Sequence, residues 1–117
     1  MKKESEAILL RIFIGESDEY KGKKLYEHIV KMLRKEGIAG ATVLRGIEGF
    51  GKTSHYHTTS ILRLSSDLPI VIEVTDKKEK IEKIKPKLDE MITEGLITEE
   101  KVKIISYEGN EDKTKED

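Results

Sequence analysis

The segment Ala7 to Ile14 constrains the fold more than any other part of the chain. It is almost continuously apolar, rich in Ile and Leu, and interrupted only by Arg11. It falls far short of the ~20 apolar residues of a membrane helix. It predicts instead a strand buried on both faces, and therefore one lying in the middle of its sheet. A central strand needs neighbours on both sides, so the rest of the chain must supply more strands.

Gly15 ends this run, and Glu16 to Gly22 reads as a polar loop. From Lys23 the apolar period becomes helical, with Leu25, Ile29 and Met32 or Leu33 on one face. Gly37 is a suitable left-handed residue at the helix end. Ala41 to Ile47 predicts a second strand, Glu48 to about His57 a glycine-containing loop, and Thr58 to Leu64 a return to strand. After a bend at Ser65 to Pro69, Ile70 to Thr75 predicts another strand. Asp76 and Glu79 have the spacing of a capping pair for a second helix. Its apolar face is Ile81, Ile84, Leu88, Met91 and Ile92, and Pro86 should kink or restart it. Gly95 ends that pattern, and Val102 to Tyr107 is the last strand.

This order predicts an α+β fold of the ferredoxin-like βαββαβ type, with two helices on one face of a four-stranded antiparallel sheet. Residues 1–108 would form a single domain and 109–117 a flexible charged tail. The uncovered sheet face calls for a lid, and oligomerisation is the simplest one for a chain of 117 residues.

Composition removes several function classes. Lys and Arg number 22 and Asp and Glu 23, so a net charge of -1 gives no general attraction to nucleic acid. The absence of Cys excludes disulfides, thiolate metal sites and a Cys nucleophile. Acidic residues precede the first apolar run, which suits a secretory signal poorly, so a soluble cytoplasmic protein is expected.

Three constellations could carry chemistry. Gly46-Ile47-Glu48-Gly49-Phe50-Gly51-Lys52-Thr53 satisfies the pattern of a phosphate-binding P-loop. That motif needs a helix after it, and Ser54 to Ser60 has no apolar stripe. A glycine turn remains, in which Gly49 and Gly51 let backbone amides approach an anion and Lys52 adds charge. His55 and His57 would share one side of an extended segment and could hold a metal with Glu73 or Asp76; solvated loop histidines are the simpler reading. Lys21, Lys23, Lys24, Lys31, Arg34 and Lys35 form a basic stretch containing one acid, Glu27. It reads as a solvated helix face, or else as a nucleic-acid or membrane patch. No Gly-x-Ser-x-Gly elbow or paired carboxylates stand out, and nothing in the spacing favours a Ser54-His55-Asp76 triad, so a non-enzymatic protein is expected.

Gly37-Ile38-Ala39-Gly40-Ala41-Thr42-Val43, Gly49-Phe50-Gly51, Asp67-Leu68-Pro69 and Ile72-Glu73-Val74 resemble the PII signalling proteins. The chain is more similar still to a PII-like family of unassigned function. Its marks are Arg11 to Glu16, Gly40 to Gly46, His57-Thr58 and Ser60 to Pro69. The resemblance implies a homotrimer binding an adenine nucleotide, ADP or ATP, in clefts between subunits. It places Gly49, Phe50, Gly51 and Lys52 at the phosphates, Glu73 and Thr75 near the adenine, and Gly95 and Lys101 at the ends of a second loop. That loop departs from the PII pattern, since glycines are missing and Glu99 and Glu100 would repel phosphate. The resemblance also implies a regulatory module whose 48–57 loop meets a target protein. A membrane transporter is one such target, since relatives accompany fluoride-exporter-like proteins. A metal- or small-anion-responsive module using His55 and His57 is the alternative.

Overall fold

A computed structural model describes residues 1–51, 57–58 and 67–109, with only the backbone course at 57–58. Its main sheet has four antiparallel strands: β1 (Lys2–Gly15), β4 (Ala41–Arg45), β7 (Pro69–Asp76) and β8 (Leu96–Tyr107). Their spatial order is β4-β7-β1-β8, the ferredoxin-like arrangement, with β1 inside the sheet as its apolar run requires. Helices α1 (Leu25–Lys35) and α2 (Lys78–Met91) cover one face.

The core lies between that face and the helices. Leu10, Ile12, Ile72 and Val74 from the sheet meet Ile29, Leu33, Ile81, Ile84 and Leu88 from the helices. Each fully buried aliphatic side chain contributes about 1.5–3 kcal/mol. The other face differs from expectation. Leu9, Arg11 and Phe13 alternate with the buried residues and are only half-buried, so β1 is buried on one face of this chain rather than both. Among the described residues no second layer covers them.

The short connections are more structured than their polar composition suggests. The predicted loop Glu16–Gly22 contains a tight hairpin, β2 (Glu19–Tyr20) against β3 (Lys23–Lys24). Its two turn residues, Lys21 and Gly22, have φ of 51° and 79°, the left-handed pair of a type I′ turn. Helix α1 therefore begins at Leu25, after this ribbon. Its C-terminus follows the glycine signal. Gly37 has φ 78°, its amide donates to Arg34 O, and the Ile38 amide donates to Leu33 O, the paired bonds of a Schellman motif.

Three further expectations are corrected. Asp76 does not form a capping box with Glu79. Its carboxylate accepts from the amides of Ala39 (2.9 Å) and Lys77 (2.7 Å), tying the entry of β4 to the end of β7. Pro86 does not restart the helix: α2 runs through it from Lys78 to Met91, with Ile84 and Leu88 in the core on either side. Finally, the last strand starts at Leu96, not Val102, so the 94–101 segment read as a loop is largely strand. It pairs with β1 along its whole length, from Phe13↔Leu96 to Lys2↔Tyr107. These strand ends carry charges where an apolar pattern would announce a strand.

Candidate functional site

The end of the sheet where β4 stops and β7 starts is built on Pro69. The Gly46 amide donates to Pro69 O at 2.7 Å. A Cβ on Gly49 would stand 3.2 Å from Pro69 Cγ, so the glycine lets the backbone lie close over the ring. Glu48 and Gly49 (β5) then pair with Thr58 and His57 (β6). The expected 48–57 loop is thus closed at its base by a two-residue ladder. His57 stands opposite Gly49, at a place where a P-loop chain would still be within its helix. Phe50 and Gly51 follow, exposed at the sheet end.

An ionic knot fixes this end. Glu16, only 6% exposed, receives the guanidinium of Arg45, the last residue of β4. The Glu16 amide donates to Leu68 O at 2.8 Å. Ser17 donates to Asp67 Oδ1 through its amide (3.1 Å) and its hydroxyl (2.7 Å). Together these bonds tie the ends of β1 and β4 to the start of β7. Sequence reasoning did not select Glu16, Arg45 or Asp67 as site residues. The opposite charges at two strand ends were visible, but only the strand order brings them together.

Glu73 lies on the open face, where Arg11 Nε donates to Glu73 Oε2 at 2.9 Å and Arg11 Nη1 to Glu100 Oε1 at 2.6 Å. Both carboxylates push the guanidinium pKa up, the hydrogen bond to Glu73 most strongly. Thr75 sits two residues further along β7, opposite Leu9. Gly95 precedes β8, and a Cβ there would stand 2.8 Å from Phe13 O, which admits only glycine without movement. Lys101 lies six residues beyond Gly95 on an extended strand, about 20 Å away, and is opposite Ile8.

The structure thus groups Gly49, Phe50 and Gly51 at one sheet end and places Glu73 and Thr75 on the open face. Gly95 lies at the same end as Gly49 but beside the opposite edge strand, about three strand spacings or 14 Å across. Lys101 is not brought to Gly95. Lys52 and His55 lie outside the described residues, as does the side chain of His57. The acids paired with those histidines as possible ligands are engaged elsewhere, Glu73 by Arg11 and Asp76 by two amides. Among the described residues no group of three His, Asp or Glu could hold a metal, and no helix is long and apolar enough to cross a membrane.

The family model for DUF190, described as "Uncharacterized ACR, COG1993", matches residues 7–104. The chain belongs to the DUF190 family. The DUF190 span runs from the apolar part of β1 through most of β8, so it contains every candidate residue above. A similar relative is UPF0166 protein MJ1524 of Methanocaldococcus jannaschii, 44% identical over 93 residues, covering 79% of this chain and 85% of that protein. Among solved structures the DUF190 fold is similar to CPII of Thiomonas intermedia K12 bound to ADP and bicarbonate. That likeness has a TM-score of 0.59 at 18% identity, covering 87% of this chain and 91% of CPII. It is also similar to the GlnK–ATP complex of B. subtilis, with a TM-score of 0.53 at 13% identity, covering 83% of this chain and 82% of GlnK. The α+β, PII-like architecture expected from the sequence is therefore the fold of this chain.

Proposed function

We propose that this protein is a PII-like regulatory module that binds an adenine nucleotide, ADP or ATP, between the subunits of a homotrimer. The observation that carries this reading is the placement of Gly49 and Gly95. Both mark the same end of the sheet, but at opposite edges. A pocket using both would be completed by a second copy of the chain. Phosphate would meet the backbone at Gly49, Phe50 and Gly51 together with Lys52. Glu73 and Thr75 would lie toward the base. Gly95 would form the far wall, with Lys101 too distant along β8 to share the phosphates. The likeness to structures solved with ADP and with ATP supports the ligand class.

The module acts by binding rather than by catalysis. Nucleotide would change the order of the 48–57 loop on a rigid sheet, and that loop would meet a target protein in the cytoplasm. A membrane transporter is one candidate target.

Calorimetric titration with ADP, ATP and divalent metals, alongside light scattering, tests this reading. Saturable heat with ADP or ATP that is weakened in Lys52→Ala, at trimer mass, is the expected result. A monomer mass removes the shared pocket. Heat with a transition metal alone, lost in His57→Ala, would replace it with the metal-responsive alternative.

A further inference from the structure

We propose that the groove between the β2–β3 hairpin, α1 and α2 is a separate site for a small organic phosphate. It lies on the helix side of the sheet, and none of the glycines at the sheet end lines it. Its volume is about 310 Å³, enough for a small ligand.

Charge is the first argument. Lys21, Lys31, Lys35 and Lys87 line the groove together with Glu36 and Glu90, an excess of two positive charges. Lys87 is paired with Glu36 at 3.5 Å. Glu90 accepts the Tyr20 hydroxyl at 3.0 Å. Among the described residues no carboxylate pairs with Lys21, Lys31 or Lys35. Lys31 and Lys35 stand one helical turn apart, where like charges repel and destabilise. Glu27 is placed one turn before Lys31, yet no ion pair joins them. A dianion between the lysines offsets this repulsion, and lysine is well suited to phosphate as a point charge.

The second argument is independent of charge. His28 Nε2 is a buried side-chain polar atom with no hydrogen-bond partner, the one such atom among the described residues. It belongs to the groove wall, where the Tyr20 ring and the imidazole stand at right angles with centroids 5.2 Å apart. Buried polar atoms are rarely left unpartnered, and a phosphate oxygen bound in the groove beside His28 would supply the acceptor. The third argument is shape. Met32, Met91 and the Tyr20 ring give the groove an apolar lining beside its lysines, which fits a phosphate carried on a small apolar body and not a bare ion.

The test follows the His28 imidazole and Tyr20 ring resonances by NMR during titration with phenyl phosphate and with inorganic phosphate. Saturable shifts at both rings are expected, with phenyl phosphate the tighter ligand. Lys31→Gln/Lys35→Gln should weaken binding by about ten-fold or more. Lys78→Gln/Lys83→Gln removes the same charge from outside the groove and should leave affinity within about two-fold. Unsaturable shifts, or equal losses in the two double variants, would show only a diffuse charge atmosphere and overturn the proposal. Equal affinity for the two phosphates would also overturn it, since the apolar lining would then play no part.

Discussion

On the helix side of the sheet, Leu10, Ile12, Ile72 and Val74 have no solvent exposure. On the opposite side, Leu9, Phe13 and Val71 keep part of theirs, and Leu44 is 48% exposed. Ile12 and Phe13 are neighbours in one strand, and both are large and apolar. What separates them is that, among the described residues, one side has helices and the other has none. The open side also holds the Arg11–Glu73–Glu100 cluster amid its apolar residues.

The largest effect expected from this contrast is on the closed side. Ile12→Ala should cost about 2–5 kcal/mol in urea unfolding, through lost burial and a residual cavity. Phe13→Ala in the isolated chain should cost less than about 2 kcal/mol, since the ring is only partly removed from water. If Phe13→Ala costs as much as Ile12→Ala, and its cost rises with protein concentration, the open face is covered in solution. Gly95→Ala is expected next, at about 1–3 kcal/mol, because the new methyl meets the Phe13 carbonyl at the start of β8. A Gly95→Ala protein as stable as wild type would mean that β8 shifts freely against β1.

A smaller change is expected from Arg11→Met. Its ion pairs are half-exposed and screened by solvent, so the unfolding midpoint of the single chain should move little. Its effect on sedimentation mass is the sharper readout. A change in subunit number with little change in the unfolding midpoint assigns Arg11 to an interface. An unchanged mass assigns the open face to some other role.

The legible part of the fold was the part written in apolar periodicity. Ala7 to Ile14 announced a central strand, Leu25 to Leu33 a helix, and Gly37 its end. The parts that were missed rest on pairing between distant residues. Lys2 to Glu6 and Leu96 to Lys101 look like a charged end and a loop until their pairing with Lys103 to Tyr107 and with Ile8 to Phe13 is seen. The Lys21–Gly22 turn was hidden inside a polar stretch because turn geometry depends on φ, and lysine gives no signal for φ of 51°. In the candidate site, Gly49 to Gly51 could be singled out from sequence as a close-approach backbone. The Glu16–Arg45 knot could not, since it depends on the order of strands in space.

The region around Glu99 and Glu100 gives the smallest predicted effect. These acids, if they faced a phosphate, would repel it. In the fold each is already matched to a cation, on opposite sides of the sheet. Glu100 meets Arg11 on the open face, while Glu99 accepts from Lys85 of α2 at 2.6 Å. Lys85 also contacts Glu82 at 2.6 Å, and the hydrogen bond to Glu82, followed by that to Glu99, raises its pKa above the ordinary 10.5. A raised folded-state pKa means that this contribution is fully present below 10.5 and is lost as pH rises through the higher folded value. Lys85→Gln should therefore lower the thermal midpoint slightly and by a constant amount near neutral pH, less than any core change. The gap between wild type and variant should close above pH 10.5. A gap that persists there would mean that Lys85 acts through the packing of its aliphatic stem between α2 and β8, not through charge.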